Sequence, residues 1–292
     1  MYKHNRKSIS LLPGLILSAT LIMGISACSD SDDDDMDSAS STSQETMNPD
    51  GSSTFITPLS PKQEVPPLQD NATAQGEGNL TIARSGSGAI SGSVSVSGLT
   101  GPATAAHIHR GFGGTNGGVE LALTGNEDGT LLSVPDGSVL TPEQLTALAE
   151  GELYINVHTA ANPGGEVRGQ IIPDGILFQS AELSGEQEVP PVTTEARGTG
   201  TSTVNSASGS ISATIITTGL DDATMAHIHM GSAGENGDFI ITLERDPVNP
   251  GIWRAPENSM LSTQQIEMFT NKALYFNVHS DDNPAGEIRG QL

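Results

Sequence analysis

Six of the seven histidines in this 292-residue sequence follow a pattern that suits metal binding. His107 and His109 are two residues apart, and a third histidine, His158, follows an asparagine further along the chain. Alternate residues of a β-strand share a face, so the first two imidazoles are expected to point the same way. The pattern recurs at three more positions: His227, His229 and His279. Three converging imidazoles with one open coordination position suit Zn²⁺ or Cu²⁺, so copper or zinc is the candidate cofactor.

Each set of histidines is accompanied by three other polar residues. A Glu two positions before an Arg is expected to pair with it, and could be a fourth ligand or accept an imidazole N–H. An Asn lies two positions before the third histidine and shares its face. These residues are Asn156, Glu166 and Arg168 in the first set and Asn277, Glu287 and Arg289 in the second.

A structural role explains the same residues without a metal. Histidines on a strand can hydrogen-bond Asn, Glu or backbone carbonyl groups, and a Glu-x-Arg pair can be an ordinary ion pair. A neighbouring arginine also opposes a cation, and duplication copies structural residues as faithfully as ligands. Strands with His-x-His also occur in copper/zinc superoxide dismutases, but the bridging histidine and the disulfide of that family are not visible in a chain with one cysteine.

Motifs for other chemistry are missing from the sequence. There is no Gly-x-Ser-x-Gly elbow, and the glycine-rich run at 111–118 lacks the Lys-Ser/Thr of a phosphate-binding loop. The sequence therefore favours a non-catalytic binding or structural module over an enzyme.

The charge balance narrows the possible partners. Twelve Lys and Arg against 35 Asp and Glu give a formal net charge of −23. Such an acidic surface repels phosphate backbones, so we expect no nucleic-acid partner. An envelope protein, a glycan or a cation is compatible with this charge.

Residues 1–27 have the features of a lipoprotein signal peptide. A basic start and an apolar stretch precede small residues and the only cysteine, Cys28. We predict that Cys28 is diacylated and anchors the protein to a membrane. Ordinary cleavage that leaves a free thiol, or an uncleaved anchor, is the alternative. The expected location is the bacterial cell envelope, at the periplasmic or the surface face of the outer membrane.

Residues 28–53 are acidic, polar and of low complexity, which predicts a disordered tether. Acidic residues after a lipidated cysteine also resemble a surface-export signal of some Gram-negative bacteria. A calcium site is a third interpretation, although the run lacks the glycine and the distal glutamate of a calcium loop.

The rest of the chain is a tandem sequence repeat, with one copy over 54–173 and the other over 174–292. Gln-Glu-Val-Pro-Pro occurs at 63–67 and 187–191, and Ala-His-Ile-His at 106–109 and 226–229. Short alternating or β-branched runs between turn residues predict an antiparallel sandwich or barrel. Capping residues at Thr141 and Ser262 predict one short helix in each unit.

These repeated motifs resemble those of the CHRD (chordin-type) domain family. The resemblance rests on Ala-His-Ile-His with its glycine-rich loop, Tyr-x-Asn-Val-His, and Asn-Pro-x-Gly-Glu-x-Arg-Gly-Gln, each present twice. It covers about residues 54–292 and implies two tandem immunoglobulin-like β-sandwich or barrel domains. It implies little about activity, because a fold family does not determine a function.

Overall fold

The computed structural model describes residues 43–68 and 73–292, which form two successive β domains. The predicted signal peptide, Cys28 and the acidic run that follows it lie outside the described residues. Among the residues described, no helix is both long and apolar enough to cross a membrane.

The first domain is a nine-stranded sheet that curls back on itself. Its strands are β1 (Gln44–Met47), β2 (Ser53–Leu59), β3 (Gln75–Ile82), β4 (Ile90–Ser97), β5 (Ala103–Arg110), β6 (Val119–Gly125), β7 (Leu131–Ser133), β8 (Leu153–Thr159) and β9 (Val167–Gln170). Their order is β1-β2-β3-β4-β7-β6-β5-β8-β9. A bridge between Ser60 and Arg168 joins the end of β2 to β9 and closes the curl.

The second domain repeats this topology as a closed eight-stranded barrel. Its strands are β10 (Ile176–Ser184), β11 (Arg197–Asn205), β12 (Ile211–Thr218), β13 (Ala223–Met230), β14 (Phe239–Arg245), β15 (Ile252–Arg254), β16 (Leu274–Ser280) and β17 (Ile288–Gln291). Pairing of Ser184 with Arg289 closes the barrel. All strand pairs in both domains are antiparallel, so the predicted fold class is confirmed.

Each domain has its own apolar core inside the sheet. In the first, Ile108 of β5 and Ile155 of β8 point inward and are fully buried. In the second, Ile228 and Phe276 take the same places. Because neighbours on a strand face opposite sides, this alternation turns the histidines of β5, β8, β13 and β16 to the outer face.

Both predicted helices are present: α1 (Pro142–Ala149) and α2 (Thr263–Thr270). Thr141 and Ser262 are their N-caps, and in each case the glutamine at the third helical position completes a capping box.

Part of the segment predicted to be a tether forms a strand. Gln44–Met47 was expected to belong to the tether, but it forms β1 on the edge of the first sheet. Glu45 of this strand is bonded to Arg84 and accepts a hydrogen bond from the backbone N–H of Asp174. These long-range partners hold a segment whose own composition gives no signal of a strand.

The two domains touch through the glycine-rich loop of the first. A Cβ placed on Gly113 would lie 2.5 Å from Phe178, and one on Gly114 would lie 2.6 Å from Thr201 and 2.9 Å from Thr214. The backbone of this loop therefore lies directly against the outer wall of the second domain, an approach that only glycine permits.

Candidate metal centre

The outer face of β5 and β8 brings the first three histidines together. His107 is paired with Asn156 across these strands, and His109 is paired with Tyr154. His158 follows Asn156 by two residues on β8 and therefore lies on the same face of the sheet. One nitrogen from each of the three imidazoles lies within 4.8 Å of the others. The predicted triad is therefore a spatial cluster.

Backbone carbonyl groups fix the tautomers of two of these rings. Nδ1 of His109 lies 3.1 Å from the carbonyl oxygen of Gly117, and Nδ1 of His158 lies 3.1 Å from that of Pro163. A carbonyl oxygen only accepts, so each Nδ1 carries the proton and each Nε2 presents a lone pair. This is how an imidazole ligand is commonly oriented at a metal site.

The three rings meet on the outer face, where two are hydrogen-bonded to each other and the third keeps a nitrogen without a partner. Nε2 of His158 accepts from Nδ1 of His107 at 3.2 Å. Nε2 of His109 is buried and has no hydrogen-bond partner. An unpartnered buried nitrogen is unusual, since buried polar atoms are normally satisfied, and it calls for an explanation.

The second domain repeats the arrangement closely. Nδ1 of His229 faces the carbonyl oxygen of Gly237 at 2.9 Å, and Nδ1 of His279 faces that of Pro284 at 3.2 Å. Nδ1 of His227 lies 3.0 Å from Nε2 of His279, and Nε2 of His229 is again buried without a partner. The three nitrogens are again within 4.8 Å.

Burial favours the neutral form of all six rings. It lowers the pKa of His107, His109 and His158 below the ordinary histidine value, and neighbouring rings lower the pKa of His158 further. In the second domain burial and the other two histidines bring the pKa of His227 to about 4. The same effect lowers the pKa of His229 and His279. Neutral imidazole is the form that binds a metal.

The distances suit a small transition-metal ion. Two imidazole nitrogens bound to one tetrahedral Zn²⁺ are about 3.3 Å apart, given Zn–N bonds of about 2.0–2.1 Å. The hydrogen-bonded histidine nitrogens are 3.2 Å apart in the first domain and 3.0 Å apart in the second. These two nitrogens therefore already have the required spacing, and an ion bound by both would take the place of the proton that they share.

An aromatic and a cation support each cluster. The His109 ring is stacked on Tyr154, and the guanidinium of Arg168 lies 3.5 Å from the centre of that tyrosine ring. Arg168 is 1% exposed and donates to the carbonyl oxygens of Phe112 and Thr115, at 2.9 Å each. Arg289 makes the corresponding contacts in the second domain. It lies over the ring of Tyr275 and donates to the carbonyl oxygens of Ser232 and Glu235. The arginines therefore hold the glycine-rich loops.

The glutamates of the Glu-x-Arg motifs, which were expected to pair with the arginines, accept hydrogen bonds from threonines. Glu166 accepts hydrogen bonds from Thr100 and Thr159, which lower its pKa to about 2 although burial alone would raise it. Glu287 likewise accepts from Thr194. Glu166 precedes the first residue of β9, so strand alternation does not put it beside Arg168. The imidazole N–H groups of His109 and His158 donate instead to the backbone carbonyls of Gly117 and Pro163.

A buried carboxyl group that the sequence did not single out lies next to each cluster. Nδ2 of Asn156 donates to Glu64 at 3.2 Å, and Nδ2 of Asn277 donates to Glu188 at 3.3 Å. Burial raises the pKa of each glutamate to about 7, against the opposing effect of Arg168 or Arg289. The repeated Gln-Glu-Val-Pro-Pro motif was the available signal.

Comparison with known proteins agrees with the repeat analysis. A model of the CHRD domain matches the chain twice, over residues 55–171 and 179–292. Chordin of Danio rerio is 32% identical over 160 residues, which amount to 50% of this chain and 17% of the chordin chain. The aligned region is thus a small part of that relative. No solved structure gives a significant match.

Proposed function

The chain belongs to the CHRD domain family, and on that premise we propose that it is a non-catalytic binding protein that holds one copper or zinc ion in each domain. The observation that carries the proposal is the buried, unpartnered Nε2 of His109 and its counterpart on His229. Each of these atoms belongs to a ring of a three-histidine cluster whose nitrogens lie within 4.8 Å of one another, and a bound cation would supply the missing partner.

The surroundings of each cluster support this proposal. The carbonyl groups of Gly117 and Pro163 orient two rings before any ion arrives, so binding needs little rearrangement. The protein as a whole carries a net charge of −23, which raises the local concentration of cations. Arg168 contacts the ring of Tyr154 and two loop carbonyls, although its charge still lowers the pKa of His109.

The stoichiometry of bound metal tests the proposal. The full chain, purified without an affinity tag, is incubated with Zn²⁺ or Cu²⁺, desalted and analysed for metal by mass spectrometry. We expect two ions per chain for the unmodified protein, one each for His107→Ala and His227→Ala, and none for the double variant. Far-UV circular dichroism confirms that the variants fold.

A purely structural role for the histidines gives a different result. In that case the unmodified chain retains no metal after loading, and the alanine variants lose stability. That outcome would overturn the proposal. Loss of metal with unchanged stability of the metal-free protein supports it.

We further propose that the protein is presented at the bacterial cell envelope by lipid on Cys28. The support is the order of basic, apolar and small residues before the only cysteine. In cells fed a fatty-acid probe, the chain should incorporate the probe and Cys28→Ala should not. An unlabelled chain that fractionates with soluble proteins would contradict the lipid anchor without affecting the metal proposal.

A further inference from the structure

We infer that the two centres prefer different metals, and that Met225 supplies a thioether ligand that makes the second centre selective for Cu(I). This inference rests on the proposed metal-binding function and assigns a chemical preference to each site. It is carried by two differences between otherwise matching clusters, at Met225 and at Phe239.

Met225 lies on the same face as the second histidine cluster. It precedes His227 and His229 at two-residue spacing on β13, while Ala226 and Ile228 between them are fully buried in the core. The strand pairing puts Met225 directly opposite His279 of β16. Directly opposed residues of antiparallel strands have Cβ atoms about 4.5–5.5 Å apart, which is within the reach of a methionine side chain.

The Met225 side chain is not part of the core. It is 46% exposed, which is unusual for a large apolar residue on a strand. An unbranched side chain with three rotatable bonds is free to turn its sulfur toward the three nitrogens. Packing in the barrel therefore does not account for a methionine at this position.

The first centre has no sulfur at the matching position. Ala105 is paired with His158 just as Met225 is paired with His279. The two clusters thus share three imidazoles and their carbonyl partners, and differ in the residue beside the third histidine. A centre with nitrogen donors alone and an open position suits Zn²⁺ or Cu²⁺.

The cover over the second centre also favours an ion of low charge. Phe239 is stacked on His227 with ring centroids 4.8 Å apart, whereas Val119 takes its place in the first domain. His227 is 8% exposed under this ring. Thioether sulfur is a soft ligand that selects Cu(I), and an apolar shell limits access of water to the ion.

The test isolates each centre in the full chain. His107→Ala leaves only the second centre and His227→Ala leaves only the first. Each protein is titrated with Cu(I) without oxygen against a chromophoric Cu(I) chelator, and separately with Zn²⁺. Two reciprocal variants follow: Met225→Leu in the first background, which keeps the apolar volume, and Ala105→Met in the second.

We expect Met225→Leu to weaken Cu(I) binding about tenfold, the effect of about 1.4 kcal/mol, with little change for Zn²⁺. Ala105→Met should strengthen Cu(I) binding by the first centre. X-ray absorption should detect sulfur bound to copper in His107→Ala and in the His227→Ala/Ala105→Met variant, but not in His107→Ala/Met225→Leu or in His227→Ala alone.

Two results would overturn the inference, and they differ from each other. If both centres bind metal but Cu(I) affinity is equal and insensitive to Met225→Leu, the selectivity is wrong and the proposed function stands. If neither centre binds Cu(I) or Zn²⁺ while the variants remain folded, the proposed function fails and the selectivity with it.

Discussion

The ring of His109 lies parallel to the ring of Tyr154, with centroids 5.1 Å apart and planes inclined by 10°. The guanidinium of Arg168 lies 3.5 Å from the centre of the same tyrosine ring. Because β8, which carries Tyr154, runs between the strands of His109 and Arg168, the three side chains form a continuous stack. The hydroxyl group of Tyr154 accepts a hydrogen bond from the backbone N–H of Gly117, whose carbonyl oxygen faces His109. Tyr154 therefore holds the His109 imidazole in two ways. Its ring is stacked on the imidazole, and its hydroxyl group positions the Gly117 backbone whose carbonyl oxygen faces His109.

This stack predicts that Arg168 cannot be replaced by lysine. Arg168→Lys keeps the charge but loses the planar group that bonds two loop carbonyls and covers Tyr154. We expect the free energy of unfolding to fall by about 2–4 kcal/mol in urea titrations. Arg110→Lys, at a partly exposed ion pair with Glu152, is the control and should change the free energy of unfolding by less than about 0.5 kcal/mol. Equal effects would show that the stack contributes no stability.

The buried carboxyl of Glu64 makes stability depend on pH in a defined direction. Its pKa is about 7 in the folded protein, against an ordinary value of 4.5. Between these two pH values the folded chain holds a proton that the unfolded chain has released. Stability contributed by this group is present below pH 4.5 and is lost as the pH rises through 7.

Glu64→Gln, which mimics the protonated group, should remove that dependence. We expect the variant to be more stable than the parent at about pH 8, by on the order of 1 kcal/mol, and similar to it at about pH 5. Melting temperatures across this range provide the measurement, with the exposed Glu127→Gln as control. A variant that is less stable than the parent at high pH would mean that the carboxylate is favourably paired with Arg168.

The histidine centres should hold metal to lower pH than isolated histidines do. A proton competes with the ion for each imidazole, and burial lowers the pKa of all six rings, that of His227 to about 4. We therefore expect the midpoint of Zn²⁺ release to lie below about pH 6.5, the ordinary histidine pKa. Dialysis at stepped pH followed by metal analysis measures it. A midpoint above that value would contradict the neutral rings described above.

The contact between domains can be tested with two matching glycines. Gly114 and Gly234 have nearly the same backbone conformation, with φ +74° and +80°, so an alanine is equally strained at both. Only at Gly114 would the added Cβ meet the other domain, at Thr201 and Thr214. We expect Gly114→Ala to cost at least about 1 kcal/mol more than Gly234→Ala and to separate the unfolding of the two domains. Differential scanning calorimetry distinguishes one transition from two, and identical behaviour of the variants would rule out a stabilising contact.

Local patterns in the sequence were enough to predict the histidine-bearing face. Ile108 lies between His107 and His109, so an inward isoleucine requires two outward imidazoles. The start of the first helix could be predicted from Thr141, because the capping box joins residues within a single helical turn.

The parts that were missed depend on long-range or backbone contacts. Glu64 meets Asn156 across 92 positions of sequence, and no periodicity links residues so far apart. The carbonyl groups of Gly117 and Pro163 leave no trace in residue type, since every residue has one. The expected pairing of Glu166 with Arg168 relied on strand alternation, but the strand begins only at Val167.

The glycine-rich loop of the first domain lies against its neighbour, and this gives the two repeats unequal freedom to evolve. A side chain at Gly113 would collide with Phe178, whereas the matching residue of the second repeat, Ala233, is exposed and already has a side chain. Mutations that add a side chain to the loop of the first repeat are therefore limited by contact with the second domain, whereas the loop of the second repeat has no such limit at Ala233. The second repeat is the copy in which duplication left room for a new specificity to arise.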